Sequence, residues 1–137
     1  MDVSSVLRVV RASAVYDLVV TTGFALPWTA GLAFAGLAGV QDALGLSGEL
    51  PSTGVVFTVL FANLMGSIVV VWSVLRIVAP SRTLGIADTC ARFLFAIGMA
   101  AALAAGGSTL LVGFLVAEVA WGVVQGAAIL SSQHADR

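Results

Sequence analysis

The chain contains no lysine, one histidine and one cysteine, and only 9% of its 137 residues are charged. Each shortage removes a class of explanation. Cys90 alone forms no internal disulfide and has no partner for a metal site. His134, single in a polar tail, is no metal site without partners. A net charge of −1 argues against a nucleic-acid partner, which needs a basic patch to meet phosphates. The missing lysines read as the codon bias of a GC-rich genome rather than a functional device. There is no Ser-His-Asp set, no glycine-rich phosphate loop, no HExxH and no cysteine pair, so the sequence leans toward a non-enzymatic role without cofactor or metal.

What is present in excess is apolar. Hydrophobic residues make up 60% of the chain. A water-soluble domain is nearer one quarter charged, and this chain has too little polar surface to cover itself in water. The lipid bilayer is therefore its expected surroundings.

Four apolar runs follow one another in a single expected domain. The first, residues 12–40, exceeds the roughly 20 residues needed to cross a bilayer core. Pro27 lies inside it, so a kink or break is expected near residues 24–28. Either one long bent helix crosses, or a shorter helix is followed by an interfacial one, where Trp28 would fit. Arg8 and Arg11 before this run, and Ala33-Phe34-Ala35 within it, mimic a signal peptide. Asp17 interrupts the run and the site lies too far in, so the first helix is expected to be retained. Turn formers at 41–53 end the run. The second run ends at Pro80. The third is uninterrupted only over residues 93–105, so to span it must begin near Ile86, which draws Asp88 and Arg92 into the membrane or its boundary. Gly106, Gly107 and Ser108 then turn the chain into the fourth run, and the tail from Ser131 reads as polar and frayed. The expected fold is all-α, a four-span transmembrane antiparallel bundle with spans at about 12–38, 54–78, 86–105 and 109–130.

Alternating the four runs puts Arg8, Arg11, Arg76, Arg82 and Arg137 on one side, while the opposite loops carry only Asp42 and Glu49. The positive-inside rule then assigns both termini to the cytoplasm of an inner (plasma) membrane.

A few polar residues remain within the apolar runs. At 1.5 Å rise per residue, Glu118 and Asn63 each lie about nine residues below the outer ends of their runs, near mid-membrane. Asp17 and Arg92 share a depth nearer the cytoplasm, with Arg76, Asp88 and Tyr16 toward the inner boundary. Glu118, Trp121 and Gln125 fall on one helical face. Facing lipid, each charge would cost about 2.5–3.5 kcal/mol, so the polar stripes should face inward. Asp17 and Arg92 are expected to form an intramembrane ion pair. Glu118 is expected to bond Asn63, or else to take the Arg92 side chain. Three functions fit: a polar cluster that fixes helix packing, a binding or proton-coupled transport site using Glu118, Asn63, Trp121 and Gln125, or an accessory subunit of a membrane complex. Small-residue stripes at Gly98, Ala102 and Gly106, and at Gly122 and Gly126, suit close helix packing within the chain, with a homodimer or larger complex as the alternative.

The stretches VYDLVVTTGFALPWTA, FANLMGSIVVVWSVLRIVAP, ADTCARFLFA and FLVAEVAWGVVQ resemble a group of small uncharacterised bacterial inner-membrane proteins. In size and four-helix plan the chain is also similar to DoxX-like proteins. The resemblance implies an integral membrane bundle and gives weight to Asp17, Asn63, Arg76, Asp88, Arg92 and Glu118. It carries no activity to any of them.

Overall fold

The computed structural model describes residues 3–135, and within them the chain is helical with no strand. Five helices follow in order: α1 (Val3–Thr21), extended by a 3-10 turn (Thr22–Phe24), α2 (Pro27–Ala43), α3 (Val56–Val78), α4 (Arg82–Ala104) and α5 (Leu111–Ala135). Helices α3 and α4, and Leu111–Ser132 of α5, are long and apolar enough to cross a membrane. Most of their large apolar side chains point outward, among them Phe57, Phe61, Ile68, Val71, Leu94 and Ile97. Such a surface is stable against hydrocarbon and not against water.

The first apolar run is not one continuous helix over residues 12–38. Ser4–Phe24 and Pro27–Ala43 meet at a bend of 104°. The cause is local. Pro27 has no N–H and restricts the residue before it, and Leu26 is accordingly extended (φ −125, ψ 141). Upstream, the hydroxyls of Thr21 and Thr22 donate to the carbonyls of Asp17 and Leu18, in competition with the helix ladder. Helix α2 thus turns sideways, leaving Trp28 and Leu32 exposed.

A break of this kind leaves backbone carbonyls without partners, which an apolar medium penalises. Helix α3 supplies them. Asn63 Nδ2 donates to the Phe24 carbonyl at 2.8 Å, and Ser67 Oγ donates to that of Ala25 at 2.9 Å. Gly66, buried between them, lets the Phe24–Ala25 backbone lie directly on α3. Removing the Asn63 amide by Asn63→Ala should lower stability in detergent by about 1–3 kcal/mol, the range for leaving a buried polar group unpaired. A midpoint of unfolding equal to wild type would show that the carbonyl needs no donor from α3.

At the other breaks the boundaries move in predictable ways. Helix α4 starts four residues before the expected Ile86, because Ser81 caps it by accepting from Leu84 N. It ends where Gly106 takes φ 94 and Gly107 N returns to the Ala102 carbonyl. The expected frayed tail is instead helix, which runs on to Ala135. The loop after α2 is pinned to the α4–α5 turn by Glu49 N to Gly106 O, Ser108 N to Glu49 O and Thr109 N to Ser47 O, and Ser108 Oγ donates to the Gln41 side chain.

Helix α1 is central. It packs along α3 and α5, while α4 packs chiefly along α5. Its buried stripe is Val6, Val10, Ser13, Ala14 and Asp17, spaced as one helical face. Val10, Ala128 and Ile129 close on Gly85 of α4, where any Cβ would lie 2.8 Å from Val10 Cγ2. The Gly122 and Gly126 stripe is used inside the chain, against Phe93, Arg92 and Thr89 of α4. Helices α3 and α4 are joined by only Ala79, Pro80 and Ser81, yet they do not pack along one another. A lengthwise cleft remains between them.

Candidate functional site

The site is a buried ionic cluster that forms the floor of this cleft. Four helices contribute. Asp17 Oδ2 on α1 takes Arg76 Nη2 at 2.5 Å and Arg92 Nη2 at 2.6 Å. Asp88 Oδ2 on α4 takes Arg76 Nη1 at 2.7 Å and Arg92 Nε at 3.0 Å. Arg92 Nη1 reaches Glu118 Oε2 on α5 at 2.9 Å. Both arginines are essentially sealed from solvent, at 0% and 2% side-chain exposure. Such charges are tolerable in the bundle only because each guanidinium meets carboxylates at charge-assisted hydrogen-bond distance.

A polar shell completes the cluster. Trp72 Nε1 donates to Asp88 Oδ1 at 3.0 Å, and the Arg76 guanidinium lies 5.8 Å from the centre of that indole ring. Gln125, fully buried, donates to Asp88 Oδ2, to the Gly85 carbonyl and to Thr89 Oγ1, and accepts from Ser13 Oγ. Arg76 also reaches Ser13 and Ser73. Among the described residues, Arg76 Nε is the one buried side-chain polar atom without a partner. Gln125→Leu keeps the volume but strips the Asp88, Gly85 and Ser13 contacts. It should lower stability by about 1–3 kcal/mol in a detergent unfolding assay, and an unchanged midpoint would mean the shell is dispensable.

The expected site residues therefore separate. Asp17, Arg92 and Glu118 meet, with Arg92 rather than Asn63 as the partner of Glu118. Asn63 belongs to the break at Phe24 and is not part of the cluster. Arg76 and Asp88 are not at a lower boundary layer but inside the same cluster as Asp17 and Arg92. Both differences share a cause. Side chains on a helix lean toward its N-terminus. Arg76, near the C-terminal end of α3, therefore points back into the bundle, while Asn63 points away from it toward Phe24. Gln125 is in the polar shell. Trp121 and Tyr16 meet as a tilted ring pair, ring centres 6.0 Å apart. Ser13 was missed as a site residue. Ser13 lies four residues before Asp17, so the helical stripe alone pointed to it. Nothing in the spacing marked Trp72 as the donor to Asp88.

Above the floor, a cavity of about 400 Å³ is lined by Asp17, Asp88, Arg92 and Glu118 together with Met65, Val69, Trp72 and Phe95. It continues into a second apolar pocket of about 470 Å³, through the shared Thr21, Met65, Val69, Phe95 and Met99, toward Gly98 and Ala102. Chemically this is an apolar groove with an ionic base. Its groups can hold and orient a ligand. Comparison of the chain with protein-family models, with curated proteins and with solved structures returned no match.

Proposed function

We propose that this is a non-enzymatic integral membrane protein that binds a small, largely apolar ligand in the cleft between α3 and α4. The ionic cluster has two roles in this reading. It locks α1, α3, α4 and α5 in place, and it forms the polar end of the site. The observation that carries the reading is the cleft itself. Two helices joined by a three-residue link would ordinarily pack as a hairpin, and here they stand apart over a charged floor. A groove of this volume lies in the usual range for small-molecule sites.

In the same proposal the chain crosses a bacterial inner membrane four times. Ser4–Phe24 makes the first crossing, α2 lies along the outer interface with Trp28 and Leu32 toward lipid, and both termini are cytoplasmic. Supporting this, Arg11 donates to the Ile77 carbonyl and Arg82 to that of Ile129, so these basic residues gather at one end of the bundle. A fluorescent protein fused after Arg137 should light up in the cytoplasm, and a fusion active only outside would refute the orientation.

Trp72 lines the cleft and reports on its occupancy. In a Trp28→Phe, Trp121→Phe background, at least one of a panel of brominated single-chain probes should quench Trp72 saturably. Ala91→Phe, which fills the cleft without removing a charge, should abolish that saturation. Quenching that rises linearly for every probe, as by simple partition into the micelle, would refute the ligand site.

A further inference from the structure

We infer that the occupant of the α3–α4 cleft is a single-chain amphiphile with one positive charge, its cationic head against Asp17 and Glu118 and its chain along Met65, Val69, Phe95 and Met99. This rests on the reading of the cleft as a ligand site and supplies what that reading leaves open, the charge and shape of the ligand.

The first support is a count of charges. Asp17, Asp88 and Glu118 face Arg76 and Arg92, so three carboxylates meet two guanidiniums. With all five ionised, one negative charge is left over. The second support is where it lies. Both guanidinium contacts to Asp17 go to Oδ2, and the one contact to Glu118 goes to Oε2. Asp17 Oδ1 and Glu118 Oε1 accept no hydrogen bond among the described residues. By contrast Asp88, the most buried of the three at 4% side-chain exposure, has both oxygens engaged. All three carboxylates line the cavity, and Asp17 and Glu118 are the two that keep an oxygen free to accept. The excess negative charge of the cluster thus borders the cleft, with acceptors to spare on Asp17 and Glu118.

The third support is the rest of the wall. Beyond Asp17, Asp88, Arg92 and Glu118 the groove is apolar up to Ala62 and Ala102 but for Trp72 and Thr21, whose N–H and hydroxyl are already engaged with Asp88 and the Asp17 carbonyl, and at Gly98 an added Cβ would touch nothing within 4 Å. A lipid acyl chain would fill this groove but leave both carboxylate oxygens without a donor in a medium that provides none. An anion meets the same carboxylates as repulsion. A monocation with a single chain neutralises the floor and covers the wall. Because α3 and α4 do not pack on one another, such a molecule enters sideways from the lipid phase.

A proton on the cluster neutralises the excess charge equally well, so proton and ligand compete. The groups around Glu118 are Arg92 and Asp88 from α4 and Asp17 and Tyr16 from α1, with Arg76 of α3 behind them. Cation affinity should therefore fall as the pH is lowered, and that of a neutral analogue should not.

The test uses the full chain in a neutral detergent with Trp72 as the remaining tryptophan. The probes are bromodecyl-trimethylammonium, bromodecanol and bromodecyl sulfate. The expected result is saturable quenching by the ammonium probe with a Kd at least ~10-fold below that of the alcohol, and none by the sulfate. Glu118→Gln should erase that preference while leaving the alcohol unaffected. Equal affinity for ammonium and alcohol, a preference that survives Glu118→Gln, or a cation affinity independent of pH would overturn the inference and leave the cleft as a ligand site. Loss of saturation for all three probes would remove both. If Glu118→Gln fails to fold, the pH arm and the probe comparison on the unaltered cluster still decide.

Discussion

Arg92→Gln should be the most damaging conservative change in the protein, lowering stability by about 3–5 kcal/mol, the range for breaking a buried ion pair. Arg92 touches all three carboxylates, Asp17, Asp88 and Glu118, and is 2% exposed. Without it, Glu118 has no recorded donor, Asp17 keeps only Arg76, and three carboxylates face one guanidinium. The opposite change, Glu118→Gln, should be mild, within about 1 kcal/mol of wild type, because it removes the excess charge and one hydrogen bond at the open edge. Detergent unfolding followed by circular dichroism ranks the two. A smaller loss for Arg92→Gln than for Glu118→Gln would mean that the cluster is not held together by Arg92. A double-mutant cycle of Asp17→Asn and Arg92→Gln isolates their contact. The loss in the double variant should fall short of the sum of the singles by about 0.5–3 kcal/mol. Additive losses would show that the two side chains do not act on one another in the folded protein.

Gly66→Ala should be the most damaging addition of a single methyl group within a helix. A Cβ there would lie 2.6 Å from Phe24 C, 2.8 Å from Ala25 N and 2.9 Å from Phe24 O. These are backbone atoms, which cannot rotate aside as a side chain does. The 3-10 turn must therefore lift off α3. Overpacking of this kind costs about 1–3 kcal/mol. If the Asn63 and Ser67 hydrogen bonds stretch with it, each adds about 1 kcal/mol. Gly113→Ala is the matched control, since a Cβ at Gly113 meets nothing within 4 Å. Equal stability of the two variants would mean that the Phe24–Ala25 segment is not docked on Gly66.

These two predictions differ in how much of their basis was readable from the chain. For Arg92, length was enough. A helix reaching about 20 residues had to include it, and an included arginine had to find carboxylates. For Gly66 nothing in the sequence distinguished it from Gly98, which faces open space. Pro27 announced a break but not its 104° angle, and not that Asn63 and Ser67 would satisfy the carbonyls it frees. Depth counted along helix axes paired Asn63 with Glu118 because it ignored the direction in which side chains lean.

The sequence by itself determined what is set by composition and period. An apolar excess asks for lipid around the helices, three of the runs near 20 residues give helices long enough to span, and a polar stripe on each says which face turns inward. Those are one-dimensional properties, complete within each segment. Only the tertiary structure decided which stripe meets which, since a contact depends on axial offset, side-chain direction and the space a glycine leaves. It drew Arg76 from the end of α3 into the cluster and sent Asn63 to Phe24. It also held α3 away from α4, so that the carboxylates of the cluster border a cleft instead of a neighbouring helix.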